Sequence, residues 1–230
     1  MPAQNRVKAR KVRLIGVIMT PADLRLARQM SSPPDLFELR LDSFSPEKRL
    51  EQKLGALPAP LIITARHPVE GGKNNLSSAA RRDLLLQYLK LAKYVDVELR
   101  SATTHRAVLD RAKRSGVGTI ISFHDLETTP QLGSLRAKAR RAKRLGAAVF
   151  KVATRTDTPA QLGRLIEFVF AAKSGLPVSV MGIGKLGAIS RLALAEAGSS
   201  LVYTALKHAG VEGQIGLNEF RRFWQQINSD

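Results

Sequence analysis

The chain has 230 residues, 44% of them hydrophobic, so it can bury one large core, and no linker-like segment points to a second domain. The lack of cysteine excludes disulfides, thiolate catalysis and cysteine-ligated metals. No apolar run reaches the ~18 residues of a membrane span. The formal net charge of +18 favours attraction to anions in general, including anionic substrates.

The first segment, residues 1–12, is a basic tail that contains Arg6, Lys8, Arg10 and Lys11 and no acid. The apolar run that follows it, residues 14–19, is shorter than the core of a signal peptide and is typical of a strand. We therefore expect a cytoplasmic protein with a basic tail over residues 1–12 and one folded domain over residues 13–230.

Eight strand-like runs alternate with eight helix-like stretches along that domain. The predicted strands lie near 13–20, 36–42, 61–67, 94–100, 119–125, 149–155, 177–183 and 200–206. The predicted helices lie over 21–30, 46–54, 77–92, 103–115, 132–145, 159–173, 188–197 and 217–227. Ser45-Pro46-Glu47 and Thr158-Pro159 are helix-start signals, because a capping oxygen precedes a proline in the first turn. Strand followed by helix eight times predicts an α/β fold, a single-domain (β/α)8 TIM barrel, slightly shorter than the typical ~250 residues.

Polar and apolar residues alternate in several of the strands. The polar sets are Glu38, Arg40 and Asp42 in the second strand, Thr64 and Arg66 in the third, and Asp96, Glu98 and Arg100 in the fourth. On an open antiparallel sheet these faces would meet water. In a barrel, helices cover the outer face, so we expect the polar residues to point inward and to gather at one mouth.

Two inward residues have the chemistry of a catalytic site. Lys151 lies between Phe150 and Val152, and a lysine in a protein interior has its pKa lowered from ~10.4, which yields an amine able to attack a carbonyl. His124 ends the preceding strand, and imidazole transfers protons near neutral pH. A hydrogen-bonded core histidine is the simpler reading of His124 taken alone.

Three loops add weaker signals. After the third strand, Arg66 and Glu70 precede a Gly71-Gly72 pair, which is a flexible hinge. The segment 184–191 leads through glycines into a helix, which makes it a candidate phosphate cradle. Gly213-Gln214 follows the eighth strand. Each of these segments alone is compatible with an ordinary turn.

Together, and in this order, the segments resemble the type I 3-dehydroquinate dehydratases, from about residue 14 to residue 220. The resemblance rests on Glu38-Leu39-Arg40-Leu41-Asp42, Thr64-Ala65-Arg66 with Glu70-Gly71-Gly72, Tyr94-Val95-Asp96-Val97-Glu98-Leu99, Ser122-Phe123-His124-Asp125 with Thr129-Pro130, Phe150-Lys151-Val152-Ala153, Gly187-Ala188-Ile189-Ser190-Arg191, and Gly213-Gln214. It implies a (β/α)8 barrel, a homodimer, and no metal or organic cofactor. The implied reaction is dehydration of 3-dehydroquinate to 3-dehydroshikimate in the shikimate pathway.

The resemblance also implies roles for individual residues. Lys151 would form a Schiff base with the substrate ketone, and His124 would be the general acid and base. Glu70 would orient His124, or close over the site on the Gly71-Gly72 hinge.

Substrate binding is implied for a second group of residues. Arg191, helped by Gln214, would hold the substrate carboxylate, since a guanidinium fork matches a carboxylate. Glu38, Arg40 and Arg66 would position hydroxyl groups, and the two arginines would help to lower the pKa of Lys151.

The chain departs from the family pattern in two places. Ile183-Gly184 stands where many members have Met-Gly, although Met181-Gly182 lies two residues earlier. Gly210 replaces the usual serine or threonine that helps to hold the substrate, and Glu212 replaces a nearby proline. The second departure concerns substrate contacts of the eighth loop and leaves Lys151 and His124 in place.

Three other classes of function remain open. A Schiff-base aldolase on the same barrel would share the inward lysine but would not require the other elements in this order. A nucleic-acid-binding protein would explain the basic residues of one helix, namely Arg136, Lys138, Arg140, Arg141, Lys143 and Arg144, but the chain has no recognised nucleic-acid-binding motif, and a solvated basic face without a specific nucleic-acid partner explains them better. A non-catalytic binder of a shikimate-type acid is compatible with Gly210.

Overall fold

The computed structural model describes residues 12–44, 49–172, 175–207 and 209–229. In these residues the strands are β1 (Arg13–Ile18), β2 (Leu36–Arg40), β3 (Leu61–Thr64), β4 (Ala92–Glu98), β5 (Gly118–Asp125), β6 (Val149–Arg155), β7 (Val178–Ile183) and β8 (Leu201–Ala205). The helices are α1 (Pro21–Arg28), α2 (Leu50–Gly55), α3 (Ser78–Tyr88), α4 (Arg106–Arg114), α5 (Leu132–Arg144), α6 (Pro159–Ala172), α7 (Gly187–Ala197) and α8 (Leu217–Ile227). The predicted basic tail, apart from Val12, and the start signal Ser45-Pro46-Glu47 lie outside the described residues.

The strands form one parallel sheet in the order β7-β6-β5-β4-β3-β2-β1-β8. Serines bridge the remaining seam between β7 and β8: Ser199 Oγ accepts a hydrogen bond from the Val180 N–H at 2.8 Å, and Ser179 Oγ donates to the Leu201 carbonyl at 2.8 Å. The sheet is therefore a nearly closed barrel, and the predicted single-domain (β/α)8 fold is confirmed.

The main core lies between the outer face of the barrel and the helices. Phe37, Leu39, Ile63 and Phe150 are fully buried there, as the alternation in the strands predicts. The ring of Phe150 meets that of Phe168 on α6 edge to face, with centroids 6.3 Å apart. Truncating such a buried ring to alanine typically destabilises a fold by about 3–5 kcal/mol. Because alternate side chains of a strand point to opposite sides, burial of the apolar residues under the helices directs the polar residues into the barrel.

Side-chain caps explain where some helices begin. Thr158 Oγ1 accepts a hydrogen bond from the Gln161 N–H at 3.3 Å, and Gln161 Oε1 accepts one from the Thr158 N–H at 3.0 Å, so the predicted start of α6 carries a reciprocal cap. No helix within the four described ranges is both long enough and apolar enough to cross a bilayer.

Strands β2, β3 and β4 end earlier than predicted. The chain turns into a short 3-10 helix at Leu41–Ser43 and into another at Pro68–Glu70, so Asp42 and Arg66 lie just beyond strand ends. Both are still buried. The inward direction predicted for Arg100 is wrong: β4 ends at Glu98, the side chain is 47% exposed, and strand alternation no longer sets its direction.

Candidate active site

One cavity of ≈ 180 Å³ opens at the carboxyl ends of the strands. Its walls include every residue that the sequence predicts for the site: Glu38, Arg40, Arg66, Glu70, His124, Lys151, Arg191 and Gln214. Active sites of this fold lie at this end of the barrel, because loops from all the strands meet there.

Lys151 is at the centre of this cavity wall and is only 4% exposed. Its Nζ lies 3.1 Å from Glu38 Oε1, 3.2 Å from Asp96 Oδ2 and 3.7 Å from the centroid of the Tyr203 ring. These four residues come from β2, β4, β6 and β8, and a layer of four side chains from alternate strands is the packing unit of a TIM-barrel interior. The layer holds Nζ on three sides.

Asp96 links this layer to the next one. Its Oδ2 accepts a hydrogen bond from Arg66 Nη2 at 2.9 Å, and its Oδ1 accepts one from Ser122 Oγ at 2.5 Å. Burial acts to raise the pKa of Asp96, but the positive charges of Arg66 and Lys151 outweigh it and hold the pKa below its usual range. Burial likewise acts to lower the pKa of Arg66, and Asp96 and Glu98 reverse that effect. Asp96 and Arg66 therefore remain charged.

Glu70 and His124 form a hydrogen-bonded pair. Glu70 Oε2 lies 2.8 Å from His124 Nδ1 and accepts the backbone N–H of His124 at 3.0 Å. Burial raises the pKa of Glu70 to about 7. Burial, together with the charges of Arg66 and Lys151, holds the pKa of His124 well below its usual range. We therefore assign a neutral imidazole with its proton on Nδ1, which leaves Nε2 as a proton acceptor.

Arg40 is held in place by Asp42. Its Nε and Nη2 donate to the two Asp42 oxygens at 2.9 and 2.7 Å, and Nη2 also donates to the Gly71 carbonyl at 3.1 Å. Asp42 accepts the backbone N–H groups of Arg66 at 3.0 Å and Lys73 at 2.9 Å. One buried carboxylate thus ties the loops after β2 and β3 together. The sequence placed Asp42 on the inward face but assigned it no role.

Arg191 is buried in a different way. Its Nη1 donates to the carbonyls of Gly187 at 2.8 Å and Gly213 at 2.7 Å, and its Nε donates to that of Tyr203 at 3.1 Å. Burial lowers its pKa to about 10, so it is still a cation at neutral pH. Within the part of the chain that the structure describes, no carboxylate pairs with it. Arg191 is 2% exposed and lines the cavity, so an anion entering the cavity would meet an unpaired buried positive charge.

Gln214 lines the same cavity as Arg191 and accepts the Gly210 N–H on Oε1 at 2.7 Å. A Cβ on Gly210 would lie 2.5 Å from Met19 Sδ, so a side chain fits here only if Met19 moves. Gly210 stands where the family pattern has a hydroxyl residue, and it contacts Gln214 through its backbone N–H.

The loop donors of the phosphate cradle predicted at 184–191 are already in use. The N–H groups of Gly184, Lys185 and Leu186 donate to Glu212 O, Asp157 Oδ1 and Thr156 O, and that of Gly187 donates to the Gly184 carbonyl. Three of these donors bind neighbouring loops and the fourth bonds within its own loop, so these four N–H groups are not available to a phosphate.

Some residues of the site were not assigned from the sequence. Asp96 and Glu98 belong to a segment noted for its polar alternation, and Ser122 belongs to one of the segments that carry the resemblance. Tyr203 lies in an apolar strand, and Arg81 lies on helix α3. Arg81 Nη1 donates to Glu98 Oε2 at 3.1 Å, and Glu98 Oε1 accepts from Arg66 at 3.2 Å. The inward position of Tyr203 follows from strand alternation, whereas the reach of Arg81 depends on tertiary packing.

Comparisons with known proteins agree with this geometry. A family model described as type I 3-dehydroquinase matches residues 17–230. The chain is 33% identical over 192 residues to the 3-dehydroquinate dehydratase of Pyrococcus abyssi, covering 83% of this chain and 86% of the relative. It is 30% identical over 224 residues to that of Bacillus licheniformis, covering 91% and 88%.

Solved structures of similar proteins have the same fold. A 3-dehydroquinate dehydratase from Geobacillus kaustophilus superposes with a TM-score of 0.85 and 26% identity, covering 96% of this chain and 93% of that one. A type I enzyme from Clostridium difficile, described as having covalently modified comenic acid, superposes with a TM-score of 0.83 and 25% identity, covering 95% and 94%. The barrel, the buried lysine and the match over residues 17–230 together show that the chain belongs to the type I 3-dehydroquinase family.

Proposed function

We propose that the protein is a 3-dehydroquinate dehydratase, a hydro-lyase that converts 3-dehydroquinate to 3-dehydroshikimate and water through a Schiff base on Lys151. One observation carries this proposal: the same cavity holds a buried amine, Lys151, and a buried cation, Arg191, that has no acid partner among the described residues. A ketone that also bears a carboxylate would engage both groups at once.

Lys151 is proposed as the nucleophile. Its Nζ passes a proton to His124 Nε2 and adds as the free amine to the substrate ketone. That proton then leaves with the former ketone oxygen as water, which gives a protonated imine. Glu38 and Asp96, at 3.1 and 3.2 Å from Nζ, are acceptors for the N–H groups that the nitrogen carries. The positive charge of the imine acidifies the neighbouring C–H bond. The imine nitrogen stays in the layer that already surrounds Nζ.

His124 is proposed as the general acid and base. Its Nε2 takes the proton from the carbon next to the imine and gives a proton to the departing hydroxyl, which leaves as water. Glu70 holds Nδ1–H, which orients the ring and stabilises the imidazolium form while Nε2 carries the proton. Hydrolysis of the imine uses one water, the number released when the imine formed, so the net product besides the enone is one water.

Substrate recognition is assigned to the polar walls. Arg191 and Gln214 are proposed to bind the carboxylate. The substrate carboxylate would supply the counter-charge that Arg191 lacks and would accept charge-assisted hydrogen bonds from it. Arg40 and Arg66 are proposed to donate to substrate hydroxyls, and Glu38 to accept from one. The carboxylates of Asp42, Asp96 and Glu98 pair with the two arginines and fix them in the wall.

The assembly and compartment are also proposals. The family resemblance favours a homodimer in the cytoplasm. The apolar side chains of Phe170 on α6 and Ile189 on α7 are 52% and 59% exposed, and each would supply apolar area to a contact between subunits. Sedimentation equilibrium of the pure protein would give the mass of the assembly, and a monomer at micromolar concentration would contradict the dimer.

The activity is tested by mixing the pure protein with 3-dehydroquinate and following the ultraviolet absorbance of the conjugated enone. We expect the absorbance to rise with a rate proportional to enzyme concentration, and Lys151→Ala to abolish the rise. A protein that forms a reducible adduct with 3-dehydroquinate but never releases enone would be a binder of this acid. A protein that does neither would refute the proposed function.

A further inference from the structure

Three loops at the mouth of the cavity are joined by one arginine. Arg155, the last residue of β6, donates from Nε to Asp157 Oδ2 at 2.6 Å and from Nη1 to Glu212 Oε2 at 2.8 Å. Asp157 lies in the loop after β6, and Glu212 lies in the loop after β8. The other oxygen of Asp157, Oδ1, accepts the Lys185 N–H of the loop after β7 at 2.8 Å. The two acids therefore connect three different loops through Arg155.

Close backbone contacts accompany this ionic network. The N–H of Gly184 donates to the Glu212 carbonyl at 3.1 Å. Gly184 and Gly213 have φ of +95° and +75°, and a Cβ on Gly213 would lie 2.3 Å from the Gly184 carbonyl oxygen. Only glycine allows this approach in this conformation. The loops after β7 and β8 thus pack backbone to backbone beside Glu212.

The 209–216 segment is also the part of the eighth loop that reaches the substrate-binding residues. The Gly213 carbonyl accepts from Arg191 Nη1 at 2.7 Å, and the Gly210 N–H donates to Gln214 Oε1 at 2.7 Å. Gly210, Val211 and Gln214 line the cavity. A shift of this segment would move Gln214 and would loosen a contact that orients Arg191.

We infer that Arg155 and Glu212 form an ionic clamp that fixes the 209–216 segment at the cavity mouth, and that both are positioning residues for carboxylate binding by Gln214 and Arg191. The inference rests on the proposed function, because its readout is the binding of that substrate. It accounts for the glutamate at position 212, which the reaction chemistry leaves without a role. Gly210 has no side chain that could hold the 209–216 segment against the substrate. The Arg155–Glu212 ion pair would hold that segment in place instead.

The exposure of the Arg155–Glu212 pair sets the expected size of its effect on KM, and the charge of Glu212 bears on the sign. The side chains of Arg155 and Glu212 are 30% and 56% exposed, so the pair is screened by salt and contributes little to global stability. Glu212 also has a competing effect, since its negative charge near the mouth repels an anionic substrate. If that repulsion were its only effect, neutralising Glu212 would lower KM. The clamp predicts the opposite sign.

The test is a double-mutant cycle with Glu212→Gln, Arg155→Gln and the double variant, assayed as the 3-dehydroquinate dehydratase. Each single change should raise KM roughly two- to fivefold at ~0.05 M salt with kcat nearly unchanged, since an exposed ion pair of this kind is lost. The second change should add little to the first. Asp110→Asn, which breaks the exposed Arg106–Asp110 pair on α4, is the matched control and should leave KM unaltered.

Two further measurements distinguish loop ordering by the clamp from a simple effect of charge on substrate attraction. The KM ratio of Glu212→Gln to wild type should fall towards one at ~0.5 M salt, where exposed pairs are screened. Amide hydrogen exchange over residues 210–214 should be faster in Glu212→Gln than in Asp110→Asn. A lowered or unchanged KM, additive single effects, or equal exchange would overturn the clamp. If the wild type produces no enone, the proposed function fails, while the exchange experiment still tests the clamp.

Discussion

On one wall of the cavity, the Nζ atom of Lys151 lies between the carboxylates of Glu38 and Asp96, whereas the guanidinium of Arg191 contacts backbone carbonyls and, among the described residues, has no acid partner. We call the first region, with Lys151, Glu38, Asp96, Arg66 and His124, the amine side. We call the second region, around Arg191, the guanidinium side. Carboxylates compensate the buried charges of the amine side before any ligand binds. The guanidinium side is compensated only when an anion arrives, so the two sides predict different responses to mutation.

The largest expected effect is on the amine side, where Asp96→Asn leaves Arg66 and Lys151 without part of their buried counter-charge. Removing one partner of a buried ion pair typically destabilises a protein by about 3–5 kcal/mol. Urea unfolding would measure this loss. Asp110→Asn, in an exposed pair, is the control and should destabilise by no more than ~1 kcal/mol. Equal losses in both variants would mean that the amine side does not depend on internal pairing.

The next prediction concerns the chemistry of the amine side. His124→Gln should slow turnover by about 10²-fold or more, because the general acid and base is lost. Stability should change little, since glutamine can still be accommodated near Glu70. Steady-state kinetics across a pH series would measure the effect. If the variant kept wild-type turnover and pH profile, His124 would be a packing residue.

On the guanidinium side, Arg191→Ala should weaken transition-state binding by ~2–3 kcal/mol, since a charge-assisted contact with the substrate carboxylate is lost. The control is a variant in which the exposed Arg140, Arg141 and Arg144 of α5 are changed to glutamine. At ~0.15 M salt that variant should keep its kcat/KM, because exposed charges act mainly through screened long-range attraction. A larger loss in the triple variant than in Arg191→Ala would contradict the assignment of the carboxylate site.

The smallest expected effect is a change in pH dependence. Burial raises the pKa of Glu70 from 4.5 to about 7, so as pH falls through about 7 this carboxyl gains a proton and can donate to His124 Nδ1. The proton of the imidazole then belongs on Nε2, which can no longer act as a base. Activity should therefore decline on the acid side of about pH 7. In Glu70→Gln that decline should disappear, and a wild-type acid limb in the variant would assign it to another group.

The same shift has a consequence for stability. Because the folded-state pKa of Glu70 is raised, the folded state binds more protons than the unfolded state between pH 4.5 and about 7. The contribution of this group is fully present below pH 4.5 and is lost as pH rises through about 7. His124 acts in the opposite direction, since its pKa is lowered and its protonation at acid pH favours unfolding.

The sequence predicted the barrel because its outer strand faces are apolar and its helices recur at regular intervals. Strand alternation also correctly placed Glu38, His124 and Lys151 at one cavity. It failed at Arg100, since alternation ends where the strand ends. It could not predict that the amine of Lys151 contacts two carboxylates, because register between β2, β4 and β6 decides which inward residues share a layer.

The roles of the loops could be predicted less well. The glycines of 184–191 suggested an anion site, but the N–H of Gly184 binds the loop after β8 and that of Gly187 binds the Gly184 carbonyl. The N–H of Lys185, between them, binds Asp157 in the loop after β6. Glycine permits close backbone approach without specifying whether a ligand or another loop approaches. The contact of Arg155 with Glu212 joins residues 57 positions apart, and no local pattern in the sequence indicates it.

The Schiff base on Lys151 can be trapped by borohydride reduction of the protein in the presence of 3-dehydroquinate, followed by peptide mass mapping. We expect one reduced adduct per chain, located on the peptide that contains Lys151, and no adduct in Lys151→Ala, which should still bind the substrate through Arg191. An adduct on another lysine, or enone production by Lys151→Ala at the wild-type rate, would contradict the assignment of Lys151 as the Schiff-base residue.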